Sequence, residues 1–78
     1  MQQHRGYWIS GKAKVIHPFN PECYVAGNVY RQGPGSSILE VTRFELPSFT
    51  MEMKELAEVF GLELARMVVD ECLTAPGS

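Results

Sequence analysis

Residues 6–17 read Gly6-Tyr7-Trp8-Ile9-Ser10-Gly11-Lys12-Ala13-Lys14-Val15-Ile16-His17, and their alternation decides the fold. Tyr7, Ile9, Ala13 and Val15 fall on one side at period two, and Trp8, Ser10, Lys12 and Lys14 on the other, which is the pattern of a half-buried strand. Neighbours on a strand point oppositely, so one of the adjacent rings Tyr7 and Trp8 must leave the core face. The phase of Tyr7 with Ile9, Ala13 and Val15 assigns Tyr7 inward and Trp8 outward. Pro18-Phe19-Asn20-Pro21 then breaks the ladder. A second strand is expected over Glu22–Gln32, with Cys23, Val25, Gly27 and Val29 on one face and Tyr24, Ala26, Asn28 and Tyr30 on the other.

Working outward, Gly33-Pro34-Gly35-Ser36 is a turn, and a third strand is expected from about Ser37 to Leu46. Its alternation is broken, with Leu39 and Val41 pointing one way and Ile38 and Phe44 the other. A bulge near Thr42 or Arg43 reconciles them. Pro47-Ser48-Phe49-Thr50 is read as the end of the sheet, with Thr50 as the N-cap of a helix from about Met51 to Leu73. At 100° per residue Met53, Leu56, Ala57, Phe60, Leu64, Met67 and Val68 share one face of that helix, the stripe expected on the sheet. Gly61 interrupts the stripe, for close packing or for a kink. Met1–Arg5 and Ala75–Ser78 read as polar or loose ends.

These elements predict an α+β fold: a three-stranded antiparallel meander followed by one long C-terminal helix packed on one sheet face, in the order βββα. The expected core is Tyr7, Ile9, Val15, Val25, Val29, Leu39, Val41, Leu56, Phe60, Leu64 and Met67. The chain has 78 residues, 45% of them hydrophobic, so it forms one domain, ordered over about residues 6–74. A domain this small buries only about 60% of its unfolded surface, which makes a partner or a dimer interface a reasonable expectation. The short apolar runs predict no transmembrane helix, and no secretory signal opens the chain. The expected setting is cytoplasmic.

Gly6-Tyr7-Trp8-Ile9-Ser10-Gly11-Lys12-Ala13, Glu40-Val41-Thr42-Arg43-Phe44-Glu45 and Gly61-Leu62-Glu63-Leu64-Ala65-Arg66 through Val69-Asp70 resemble a pattern in small uncharacterised bacterial hypothetical proteins of three strands followed by one helix. The resemblance spans most of the chain; it implies the fold and a bacterial cytoplasmic setting, and no activity. The βββα order also resembles the C-terminal part of double-stranded-RNA-binding domains and the small DNA-binding domains of some integrases. The basic helix start of the former is absent, since the segment here is Thr50-Met51-Glu52-Met53-Lys54-Glu55. That analogy reaches the fold only.

Charge is segregated. Residues 1–43 carry a net +3 and residues 44–78 a net −5, summing to the −2 of the chain. The sheet is therefore mildly basic and the helix acidic, either to meet phosphate or simply to support one layer on the other. Two surfaces are candidates for contact. On the outer sheet face, Trp8, Lys12, Lys14, Tyr24 and Tyr30 interleave rings with cations, as single-stranded nucleic acid requires. Cross-strand packing, a Lys–Glu pair with Glu40 or self-association explains the same residues. On the helix, Leu62, Ala65, Val69, Cys72 and Leu73 form a short seam opposite the expected core stripe, fit to pair two helices across a two-fold axis.

Little points to chemistry. His4, His17, Cys23 and Cys72 lack the spacing of a zinc site, so no metal or other cofactor is expected. A Cys23–His17 nucleophile pair lacks a third member and an oxyanion hole, and the helix glutamates read as solvated carboxylates. The Gly33–Ser36 turn lacks the lysine of a phosphate loop. No enzymatic activity and no small-molecule substrate are expected. The leading expectation is a non-enzymatic interaction module acting through homodimerisation or a protein partner, with nucleic-acid binding through the outer sheet as the alternative.

Overall fold

The backbone turns sharply at Arg5 and Gly6, whose φ angles are 51° and 85°. Positive φ at both central residues is what a two-residue type I′ hairpin demands, and it folds residues 2–4 back onto the strand that follows. In this computed structural model, which describes residues 1–73, the sheet therefore has four strands where the alternation predicted three. They are β1 (Gln2–His4), β2 (Tyr7–Val15), β3 (Cys23–Gln32) and β4 (Ile38–Met51), antiparallel in the order β1-β2-β3-β4. Helix α1 (Lys54–Val68) follows and ends in a π-helical turn, Val69–Leu73. The α+β class and the single C-terminal helix agree with the sequence reading. The expected loose end over Ala75–Ser78 lies outside the described residues.

Register fixes the faces. Ile9 pairs with Val29, Gly11 with Gly27 and Ala13 with Val25, and opposed residues share a face. β4 continues that face with Phe44 opposite Gly27 and Leu46 opposite Val25. Two irregularities interrupt β4. Val41 is the extra residue between Glu40, which faces Tyr30, and Thr42, which faces Val29; this bulge lies just ahead of the expected position. Pro47, Ser48 and Phe49 are extra between Leu46 and Thr50. An edge strand tolerates a proline at such a place because no ladder bond is needed from its nitrogen. The sheet thus runs past Pro47 to Met51, and Thr50, paired with Tyr24, does not cap the helix. The N-cap is Met53, with no side-chain hydrogen bond.

The helix meets the sheet through backbone. A Cβ on Gly61 would fall inside contact distance of the Ala26 carbonyl oxygen and 3.1 Å from its carbon, and a Cβ on Gly11 would strike the Glu58 carbonyl oxygen and the Leu62 nitrogen. Only glycine allows this approach. The close contact sets the helical phase. Ala57, Gly61, Ala65 and Val69 face the sheet and are buried, while Met53, Leu56, Phe60 and Met67 are 55%, 48%, 37% and 56% exposed. The expected core stripe is corrected accordingly. Gly61 serves packing, and α1 runs through it without a break.

Of the expected core, Ile9, Val25 and Val29 are fully buried. Tyr7, Val41 and Leu64 pack partly buried around them. Val15, Leu39, Leu56, Phe60 and Met67 are exposed: Val15 ends β2, Leu39 lies on β4, which α1 leaves largely uncovered as it lies over β2 and β3, and the other three are turned off the sheet by the phase of the helix.

Candidate contact surfaces

The strip of β4 that the helix leaves uncovered builds the first surface. Phe44 and Leu46 of β4 stand on the same face as the helix, and with Leu64, Met67, Val68 and Cys72 they line an open groove of about 330 Å³ whose one charged lining residue is Glu71. Next to it Phe49, carried out of the ladder by the Pro47–Phe49 excursion, stacks on Phe60 with ring centroids 5.1 Å apart and planes 13° from parallel. Leu56 and Met53 extend the apolar strip along the helix. Among the described residues more large apolar side chains are exposed than are fully buried, the latter being Ile9, Val25, Val29 and Val69.

The expected helix seam is not this surface. Ala65 and Val69 are fully buried against Ile9 and Val29, and Leu62 and Leu73 pack partly buried on that cluster. The glycine contact turns them inward. Cys72 alone of the five is exposed, at the groove. Of the residues that do line the groove, the sequence pattern puts Leu64, Met67 and Val68 in the stripe facing the sheet, and Cys72 in the seam. The signal that separates the two faces is the four-residue spacing of Ala57, Gly61 and Ala65, small residues in phase with strand glycines, which marks a close approach of two backbones.

The outer face of the sheet gathers the five residues expected there. Trp8 stands opposite Tyr30, Lys14 opposite Tyr24, and Lys12 opposite Ala26. Trp8 is half-buried. Arg43 joins them opposite Asn28, and Glu45 and Glu40 share the face through Ala26 and Tyr30. Lys14 Nζ donates to both Glu45 carboxylate oxygens at 3.0 and 3.1 Å, and the buried Asn28 amide donates to Glu40 at 2.8 Å. Two carboxylates therefore sit among the three cations of this face.

At the β1 end, Asp70 of the π-helical turn takes a 2.8 Å hydrogen bond from His4 Nε2 in its protonated tautomer and lies 3.2 Å from Arg5 Nε, tying the hairpin to the helix terminus. Cys23 is buried and its Sγ donates to the Met51 carbonyl at 3.5 Å, while His17 Nδ1 accepts from the Phe19 amide at 3.3 Å. Among the described residues no three His, Cys, Asp or Glu side chains are grouped to hold a metal ion. Nor, among the described residues, is any helix long and apolar enough to cross a membrane. Comparison of the chain with known protein families, curated proteins and solved structures finds no match in any of the three.

Proposed function

We propose that the protein is a small interaction module that works by self-association through the apolar surface between β4 and α1. The observation that carries this reading is the inversion of side-chain size: small residues fill the helix–sheet contact, while Phe44, Phe49, Phe60 and Met67 border an open groove. Contiguous apolar surface of this kind marks contact sites on small proteins. The overall dimensions support it. The radius of gyration is 13.7 Å, against about 11.5 Å for a compact chain of this length. The test is the mass of the free protein by sedimentation across a concentration series, beside Met67→Glu. The wild type is expected to dimerise and Met67→Glu to remain monomeric with an unchanged circular dichroism spectrum. A wild type that stays monomeric at about 1 mM, where a contact worth only about 4 kcal/mol would already be substantially formed, overturns the reading.

A second reading, nucleic-acid binding on the outer sheet, is favoured by one arrangement: the cross-strand placement of Trp8 with Tyr30 and of Tyr24 with Lys14. Stacking platforms beside cations suit single strands. The Lys14–Glu45 ion pair and Glu40 count against it, since they offset the positive field. Oligonucleotide titration at two salt concentrations decides it: phosphate contacts lose affinity steeply with salt, and apolar association does not.

A further inference from the structure

We infer that the occupant of the apolar surface is a second copy of this chain, joined edge to edge through β4 with Phe44 on the two-fold axis. This rests on the self-association reading and adds its geometry. β4 is one edge of the sheet and is 14 residues long; the opposite edge is divided between β1, which has three residues and covers only Tyr7–Ile9 of β2, and the remainder of β2. A long unpaired edge is a template for another strand. Its regular run is Thr42–Leu46, bounded by the Val41 bulge and the Pro47–Phe49 excursion, so pairing is confined to a short segment and closes at a dimer.

Register follows from charge and face. In an antiparallel two-fold pair, opposed residues share a face. Only a centre on a residue, rather than between two, keeps both helices on one side of the joined sheet. A centre on Thr42 or Leu46 runs at once into a bulge. A centre on Arg43 or on Glu45 sets like charges opposite each other. A centre on Phe44 sets Arg43 of each copy opposite Glu45 of the other, Thr42 opposite Leu46, and the two Phe44 rings together on the helix side. Among the described interactions, Arg43 has no ion pair within its own chain, while Glu45, held by Lys14, would share its carboxylate between the two cations.

The surface matches what such a dimer needs. A compact protein of this mass exposes about 4,700 Å²; this one exposes 5336 Å². The excess, about 600 Å², is close to one partner's share of a standard interface, about 800 Å². Four strand spacings of about 4.8 Å put the two helix axes about 19 Å apart. With helices about 10 Å wide, a gap of about 9 Å remains above the paired Phe44 rings. Phe60 and Met67 of both copies project into it from its two sides.

Complementary charge variants test the register. Arg43→Glu and Glu45→Arg each place like charges at both symmetric positions, so each alone is expected to weaken the dimer about tenfold. Mixed, they restore opposite charges at both positions, and native mass spectrometry of the mixture, one variant carrying a mass tag, is expected to show heterodimer well above the statistical half. Both positions are exposed on β4, and circular dichroism verifies the fold. Independently, amide exchange of the wild type should slow across Thr42–Leu46 as concentration rises. A wild-type dimer with statistical mixing, variants that mixing does not rescue, or unchanged exchange in β4 overturns this geometry and leaves the self-association reading standing. A wild type monomeric at every concentration overturns both and leaves the groove to a different protein.

Discussion

Replacing Gly61 with alanine sets two effects of opposite sign against each other. In an exposed helix the change adds about 1 kcal/mol of stability, because glycine loses more backbone freedom on folding than alanine does. Here the new methyl would sit 3.1 Å from the Ala26 carbonyl carbon, closer still to its oxygen, and 3.3 Å from the Gly11 Cα. All three are backbone atoms, with no rotamer to yield. The helix must rise by roughly 1 Å, which strips contact from Ile9, Val29, Ala65 and Val69, the buried cluster beneath it, since a gap of that size forfeits up to half of each dispersion well. Overpacking of this kind costs about 1–3 kcal/mol, occasionally more. Because backbone atoms cannot yield, the cost belongs at the upper end of that range, about 3 kcal/mol, and less the gain of about 1 kcal/mol the net expectation is a loss of about 2 kcal/mol, a large part of the roughly 4–12 kcal/mol available to a chain of 78 residues.

Urea unfolding followed by circular dichroism, at one fixed protein concentration because association adds to apparent stability, measures it. Gly11→Ala strikes the same contact from the strand side, at Glu58 and Leu62. Once one methyl has lifted the helix, the second has less to disturb, so the double variant should lose less than the two single losses added together. A Gly61→Ala protein more stable than the wild type by about 1 kcal/mol would refute the argument, because propensity alone would then govern the site.

Three further outcomes are expected. Phe60→Ala, at an exposed ring stacked on Phe49, should cost about 1 kcal/mol at low concentration instead of the 3–5 kcal/mol of a core aromatic; a core-sized loss in dilute urea titrations would place the ring inside. Asp70→Ala removes the partner of His4 and Arg5 and should cost about 1 kcal/mol, with amide exchange rising in β1 alone; equal acceleration in β3 would contradict a local tie. Trp8, on the outer face, should remain quenchable by iodide in both monomer and dimer, and a ring shielded on dimerisation would move the contact to the outer sheet.

How far the sequence spoke depended on which force set each feature. β2 and β3 were legible because one face is buried and the other polar, so Ile9, Val25 and Val29 and the outward set Trp8, Lys12, Lys14, Tyr24 and Tyr30 separate at period two. β1 is three polar residues, too short to show a period, and only the Arg5-Gly6 turn announces it. Pro47 read as a stop because a central strand cannot hold one; β4 is an edge, and the proline sits in an excursion. The helix was legible in place but not in phase. Weighting faces by hydrophobicity put Leu56, Phe60 and Met67 inward, whereas distance of approach, governed by Gly11, Gly27 and Gly61, put alanine there.

That same approach links the fold to the proposed interface. A helix about 10 Å wide covers two strands spaced about 4.8 Å apart, so α1 on β2 and β3 must leave β4 bare. Seated low by its glycine, the helix has no room beneath it for Phe60 or Met67, and its longer apolar side chains turn toward the β4 side, level with Phe44 and Leu46. The depth of the helix thus aligns the two halves of the apolar surface. Raising the helix by a methyl at position 61 should disturb that alignment, although Gly61 is buried and touches no second copy. Gly61→Ala is therefore expected to weaken dimerisation about tenfold under conditions where circular dichroism shows it fully folded, a shift of about 1.4 kcal/mol. Sedimentation of the folded variant beside the wild type measures this directly. A dimer of unchanged affinity from a measurably destabilised Gly61→Ala chain would show that helix depth serves the fold alone and that the contact surface is built by β4 without it.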